Sequence, residues 1–254
     1  MAATLKSPQR SRLDEHLVAA GLYASRSRAR DAIGRGAVRI DGAVAVKAGQ
    51  PVSPASDISI DDPAIGYVSR AALKLIAGLD HFALDPAGCC ALDIGASTGG
   101  FTQVLLERGA GHVTAIDVGH GQMDERLRTD PRVTCLEGLN ARNLAATDLA
   151  GRILDFVVSD VSFISLTLAL PPALGLAAPG ARALLLVKPQ FEAGRAAIGK
   201  GGLLKDPDEG TRIAERLHAW LDGQPGWRAL GHCPSPVEGS DGNREFLLAG
   251  IKDR

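Results

Sequence analysis

Apolar residues recur with two different periods along this chain, and the change of period divides it. Near the N-terminus Leu13, Leu17 and Leu22 stand close to helical spacing, with Gly21 placed to end the helix. Ser25 is positioned to cap a second helix, whose apolar stripe is Ala29, Ala32 and Ile33, and Gly34 and Gly36 stop it. Val38 and Ile40 then alternate with polar residues, Asp41-Gly42 forms a hairpin turn, Val44 and Val46 return, and Ile58 and Ile60 mark another short strand. Residues 11–61 therefore predict a small α+β domain of two short helices and a β-ribbon. Residues 62–69, opening on Asp62 and carrying Pro63 and Gly66, read as a linker.

From residue 70 onward the rhythm is different. A helix is predicted over Arg70–Phe82, with Leu73, Ile76 and Leu79 on one stripe. Continuous apolar runs follow at Cys89–Ile94, Val113–Ile116, Val133–Leu136, Ile153–Ser159 and Ala183–Val187, the composition of strands covered on both faces. Helical stretches separate them at Phe101–Arg108 and Ser165–Leu176. An amphipathic stretch at Asp208–Leu221 precedes two late strands, Trp227–Gly231 and Arg244–Ile251. Strands alternating with helices predict an α/β domain over 70–254, a doubly wound and mainly parallel sheet.

Composition changes this picture little, but charge changes it more. With 45% hydrophobic and 22% charged residues over 254 positions, the chain is globular in type. The opening MAATLKSPQRSR lacks an apolar signal core, and the apolar run Ile164–Ala178 is broken by Pro171-Pro172, so a cytoplasmic protein without a membrane span is expected. Cys89, Cys90, Cys135 and Cys233 include no C-x-x-C pair, which argues for reduced thiols and against a zinc site. The net charge of −1 conceals an asymmetry: residues 1–60 hold nine cations and five carboxylates, giving +4 and leaving −5 for the rest. A basic small domain points to a polyanion. Its candidate contacts are Arg12, Arg26, Arg28, Arg30 and Arg35, although a row of helical arginines taken alone is also what a solvated face looks like.

Directly after the first long strand comes Asp93-Ile94-Gly95-Ala96-Ser97-Thr98-Gly99-Gly100-Phe101. A glycine turn between a parallel strand and a helix lets backbone approach a nucleotide-like ligand closely, and Asp117, ending the next strand, can accept both ribose hydroxyls. A dinucleotide needs its pyrophosphate at a helix N-terminus, yet Ser97 replaces the second glycine and Asp93 would repel phosphate. An acid there suits the ammonium of a methionine moiety, so S-adenosylmethionine is favoured over NAD. The candidate cofactor set is Asp93, Gly95, Ser97, Thr98, Gly99, Gly100, Phe101, Asp117 and Val118. A second glycine motif, Gly194 to Lys200, spells most of a phosphate-binding loop, but Gly201 stands where Ser or Thr would hold Mg²⁺, and no helix follows. It reads instead as a mobile basic flap carrying Arg195, Lys200 and Lys205, with Lys200 a further candidate contact for the polyanion.

Ligands of open α/β sheets bind beyond the carboxyl ends of the strands. Asp160 after LDFVVS and Lys188 after ALLLV end such runs. Singly, each would read as a solvated strand end, Lys74 as a surface lysine and Glu245 as half of a surface ion pair. Together they carry a resemblance. The segments SRAALKL, SDVSF, LVKPQFE and GNREFLL resemble the motifs of FtsJ-type RNA ribose methyltransferases, and RLDEHLVAAGLYASRSRARDAIGRGAVRIDG resembles the α-L RNA-binding domain named after a small-subunit ribosomal protein. With GASTGGFT and IDVGHGQ added, residues 12–251 resemble the TlyA family, some members of which carry a hemolysin label. Ala71 departs from the glycine frequent there, and Tyr67 stands in a linker that lacks the usual tryptophan.

The resemblance implies a Rossmann-like class I methyltransferase sheet, S-adenosylmethionine as cofactor, and rRNA or ribosomal subunits as partner. It also implies transfer to the ribose 2′-hydroxyl of cytidines, with Lys74, Asp160, Lys188 and Glu245 as the catalytic set. That chemistry needs no metal and no covalent intermediate; it needs alignment of the oxygen and an outlet for its proton. A lysine can stabilise the developing alkoxide or, if neutral, remove the proton, and the sequence leaves both open with Lys188 as the centre. A base methyltransferase would call for an aromatic clamp or a nucleophilic cysteine, and SDVSF offers neither. The complete four-residue set argues against an RNA-binding or ribosome-assembly factor with a vestigial fold. A membrane-lytic protein is disfavoured too, because the chain has no strongly amphipathic basic helix.

Overall fold

The computed structural model describes residues 10–239 and 242–253; residues 1–9, most of the polar leading segment, lie outside them. The chain divides into two compact units, residues 1–66 and 67–254. The stretch read as a linker is shared between them. Asp62 is buried in the first unit, where Tyr23 Oη donates to its carboxylate at 2.9 Å, while Val68 belongs to an apolar core of the second.

In the first unit, β1 (Ser11–Arg12) leads into α1 (Leu13–Ala19), and α2 (Arg26–Gly34) follows. Ser25 Oγ accepts the Arg28 N–H at 3.3 Å, as its capping position requires. Then come β2 (Val38–Ile40), β3 (Ala43–Val44), β4 (Pro51–Val52) and β5 (Ile58–Ile60). Strands β3, β2 and β5 form one antiparallel sheet in that order, and β1 pairs with β4. Asp41 and Gly42 both take positive φ, +49° and +81°, the geometry of a two-residue hairpin turn. Two apolar expectations are corrected. Leu22 is 39% exposed and Tyr23 takes its place in the core, because Gly21 at φ +71° reverses the chain before another helical turn forms. Val44 and Val46 face outward while Ala45 is buried, so the alternation there has the opposite phase to the one expected.

The second unit opens with α3 (Ala72–His81), then β6 (Cys90–Ile94), α4 (Gly100–Glu107), β7 (His112–Asp117), α5 (Glu125–Arg128), β8 (Val133–Glu137) and β9 (Leu154–Ser159). Next are α6 (Leu166–Ala169), α7 (Pro171–Leu176), β10 (Ala177–Val187), α8 (Pro189–Glu192), α9 (Glu209–Asp222), β11 (Trp227–Pro234) and β12 (Phe246–Lys252). The predicted single helix over 165–176 is two helices. Pro171 cannot continue α6, since it lacks the N–H, but it is well suited to start α7. All seven strands form one sheet in the order β11-β12-β10-β9-β6-β7-β8, parallel from β10 to β8, with β12 antiparallel to β10 and β11 antiparallel to β12. Helices cover both faces. Leu75, Leu79, Phe101 and Leu105 pack on one side and Leu170, Leu174, Ile213 and Leu217 on the other, which is why the central strands read as unbroken apolar runs.

The direction of winding reverses between β6 and β9, and their carboxyl ends open a crevice there. Beyond Gly194 the chain makes two short 3₁₀ turns, Arg195–Ala197 and Lys200–Gly202, rather than a helix. An antiparallel bridge between Ile198 and Leu204 closes this loop. No helix among the described residues is long and apolar enough to cross a membrane. All four cysteines are free and partly buried.

Candidate active site

At the reversal point, the Asp160 N–H donates to the Ile94 carbonyl at 2.9 Å, so the ends of β6 and β9 are drawn together. Gly95 sits between them at φ +82°, and a Cβ there would lie 2.8 Å from the Asp160 carbonyl oxygen. Glycine is therefore required by both backbone angle and space. Asp117 ends β7 and is aimed by two backbone donors: the Ser97 N–H reaches Oδ2 at 2.8 Å and the Gly119 N–H reaches Oδ1 at 2.7 Å. Gly99 starts α4 at φ +95°, where a Cβ would collide with Leu127.

These turns border a cavity of about 430 Å³, within the usual size range of small-molecule sites. Gly95, Ser97, Asp117 and Val118 from the expected set line it, together with Gln122, Leu139, Asn140, Ala141, Phe163 and Ile164, which sequence reasoning missed. Asn140 follows the carboxyl end of β8, and that position is the signal by which it could have been found. A smaller cavity of about 160 Å³ is bounded by Ser69, Thr98, Gly100, Phe101, Asp160 and Ser162 among others. Gly99 lines neither, and nor does Asp93. It is wholly buried, its Oδ2 accepts the Thr102 hydroxyl at 2.7 Å, and burial pushes its carboxyl up to about 7. Its expected direct contact with a ligand ammonium therefore meets a side chain withheld from the cavity.

The four charged candidates come together as two lysine–carboxylate pairs. Lys188, at the end of β10, has its Nζ 2.6 Å from Asp160 Oδ1 and donates to Ser162 Oγ at 2.8 Å. Lys74, on the inward face of α3, donates to Glu245, which stands just before β12. Lys74 and Glu245 are 6% and 3% exposed, so neither is the surface residue its local sequence suggested. Burial raises the Glu245 carboxyl above its ordinary range, against the opposing pull of Lys74 and Lys188.

Glu245, Ser162, Phe163 and Phe191 contribute to a third cavity, of about 350 Å³. Phe163 is 89% exposed at φ +65°, with its ring centroid 5.0 Å from that of Phe191. The expectation that SDVSF offers no aromatic device is thus corrected: a backbone angle that pattern reasoning cannot see turns this ring outward. Phe163 and Ser162 border both the first and the third cavity, and Asp160 borders the first. Each lysine is thus paired with a carboxylate that borders a cavity, Asp160 the first and Glu245 the third.

Residues 67–252 match the FtsJ-like methyltransferase family model. The chain belongs to the FtsJ-like methyltransferase family. Its first unit carries a match to the S4 domain over residues 11–58. The chain is 46% identical over 245 residues to the 16S/23S rRNA (cytidine-2′-O)-methyltransferase TlyA of Mycobacterium tuberculosis, covering 94% of this chain and 89% of that one. Hemolysin A of Brachyspira hyodysenteriae is 36% identical, with 93% and 98% covered. A solved structure of a hemolysin-named protein from Streptococcus thermophilus superposes with a TM-score of 0.75 at 36% identity, covering 97% of this chain and 90% of that one.

Within the S4 domain the arginines are less free than a solvated row. Arg12, Arg26 and Arg30 converge on the buried carboxylate of Asp14 at 3.0, 3.1 and 2.9 Å, and Arg26 also meets Glu15 at 3.0 Å. The three guanidiniums hold the Asp14 carboxyl far below the usual range, with the bond from Arg12 contributing most. They remain about half exposed, with three positive charges against two negative ones. Arg28 donates to the Ala64 carbonyl at 3.3 Å. Arg35 is corrected from a surface contact: its guanidinium grips the buried Asp62 with two bonds of 3.0 Å and is only 23% exposed. Lys200, in the FtsJ-like unit, is exposed on the loop after Gly194.

Proposed function

We propose that this chain is an S-adenosylmethionine-dependent rRNA methyltransferase that modifies a ribose 2′-hydroxyl, with cytidine as the target nucleotide. The observation that carries this reading is that two lysine–carboxylate pairs meet at two cavities that share Ser162 and Phe163, with Asp160 on the glycine-loop cavity and Glu245 on the other. The residues present fit the cofactor. Gly95 leaves room that a Cβ would fill, the Asp117 carboxylate is aimed by two N–H groups yet keeps lone pairs for ribose hydroxyls, and Val118, Leu139 and Ile164 offer apolar surface to a purine. S-adenosylmethionine supplies an already activated methyl group, so the protein has only to align the acceptor oxygen and manage its charge. Lys188, with Asp160 as counter-ion, meets that oxygen as a hydrogen-bonding cation and offsets the negative charge that grows on it as its proton passes to solvent. Ser162 accepts a second hydrogen bond from the lysine. Lys74 and Glu245 form a buried ion pair whose carboxylate partner borders the acceptor cavity.

Phe163 and Phe191 give the nucleobase a face to stack on, the usual way that an unstacked RNA base is held. No cysteine lines any of the three cavities, which disfavours base methylation through a thiol adduct. The S4 domain grips structured RNA, with Arg12, Arg26 and Arg30 as phosphate contacts, and Lys200 adds a contact near the active-site mouth. Action on ribosomal RNA makes the cytoplasm the site of work. The test uses purified protein, methyl-labelled cofactor, and small and large ribosomal subunits from cells lacking the protein. Ribose methylation should map to a cytidine. Lys188→Ala should still bind cofactor yet lose about 10²–10³-fold in single-turnover rate, and Lys188→Arg should not restore it, because a planar guanidinium cannot copy a point ammonium. Label on a base, or near-normal turnover by Lys188→Ala, would overturn the reading.

A further inference from the structure

We propose that Asn243 is a positioning residue, strapping the basic loop of residues 194–205 to the start of β12 so that the loop forms one wall of the acceptor cavity beside Glu245. The inference rests on the reading of that cavity as the RNA nucleotide site.

No side chain between residues 190 and 209 is fully buried, so apolar packing does little to hold this loop. Its shape comes from its own backbone: the Gly199 N–H donates to the Leu203 carbonyl at 2.7 Å and the Lys205 N–H to the Ala197 carbonyl at 3.0 Å. Its attachment to the sheet is another matter. Asn243, two residues before Glu245, is 4% exposed. Its Oδ1 accepts the Leu204 N–H at 3.1 Å, and its Nδ2 donates to the Gly202 carbonyl at 2.9 Å. One planar amide thereby satisfies a donor and an acceptor of the loop, as a neighbouring strand's backbone would. The loop in turn lends Ile198 and Gly202 to the cavity that Glu245 and Phe163 line. Arg195, Lys200 and Lys205 are exposed along it, so the strap sets both the cavity wall and the location of three cations suited to RNA phosphate.

An alanine cannot make either bond. An aspartate keeps the shape and accepts from Leu204, but as a carboxylate it opposes the Gly202 carbonyl; once protonated it donates again. Burial raises the pKa of such a carboxyl, which brings the recovery into a workable range. The experiment measures single-turnover methyl transfer to ribosomal subunits with the full-length chain, together with cofactor affinity by calorimetry. Asn243→Ala should raise the subunit concentration for half-maximal rate by about tenfold, or about 1.4 kcal/mol, and leave the maximal rate and cofactor affinity near wild type. For Asn243→Asp, RNA affinity relative to wild type should recover as the pH falls from about 8 to about 5.5. Unchanged half-saturation in Asn243→Ala, a pH-independent ratio in Asn243→Asp, or a parallel loss of cofactor affinity would each overturn the strap. If wild-type protein transfers no methyl group to ribose, the underlying reading fails first.

Discussion

Asp93 gives the sharpest quantitative expectation, because its environment reverses the usual relation between an aspartate and pH. The side chain is wholly buried, receives one hydroxyl donor from Thr102, and is pushed up to about 7 by burial. An unfolded aspartate titrates near 4, so folding raises the value by about three units, or about 4 kcal/mol at about 1.4 kcal/mol per unit. Between about pH 4 and pH 7 the native state holds a proton that the unfolded chain has released, so stability falls as pH rises and levels off above pH 7. In Asp93→Asn the titration is gone. The variant keeps an oxygen for Thr102 but sets an N–H pair where Oδ1 meets no donor, a pH-independent cost of about 1–3 kcal/mol. Wild type should therefore be the more stable protein near pH 4.5 and lose that lead, by about 3 kcal/mol or more, on passing to pH 8. Trp220 and Trp227 are the only tryptophans and both lie in the second unit, so fluorescence in urea titrations isolates its unfolding. A stability difference that stays constant within about 0.5 kcal/mol from pH 5 to pH 8 would refute the argument.

Asp14 should behave in the opposite sense. Its carboxyl is depressed by three arginines, so its contribution is complete above about pH 4 and fades as the pH falls below that; Asp14→Asn should destabilise the first unit by about 1–3 kcal/mol at neutral pH, and an NMR melt that follows the Leu13 and Leu17 methyls should show the gap closing in acid. Asp117→Ala should weaken S-adenosylmethionine binding by one to two powers of ten, about 1.5–3 kcal/mol for the lost charge-assisted bonds. Calorimetry that finds saturable NAD binding and no response to S-adenosylmethionine would overturn the cofactor assignment.

Much of the molecule is legible in its residue pattern. The apolar runs in the second unit are strands because both faces of the sheet are covered, and the Asp-Gly turn makes its hairpin because both residues take positive φ. Asp160 and Lys188 stand out because each ends a run whose last residues are buried. Pattern misleads where it has two physical solutions. Gly21 turns the chain one residue before Leu22 can pack, and the short ribbon lets Ala45 rather than its valine neighbours face the core. Proline in the 165–176 run is as good a helix start as a helix stop.

Local pattern carries most of the long strands and helices, their order and the chemical kinds of side chain at the strand ends, since those depend on periodicity, capping and turn geometry over a few residues. Which distant charges meet depends on the packing of whole elements. Lys74 and Glu245 are 171 residues apart and touch because α3 packs on the sheet near the start of β12. Arg12, Arg26 and Arg30 share one buried carboxylate because α1 and α2 pack together, and Asn243 reaches Gly202 because a loop with no buried side chains lies beside it. Convergence of this kind is set by which elements become neighbours, and no spacing along the chain encodes it.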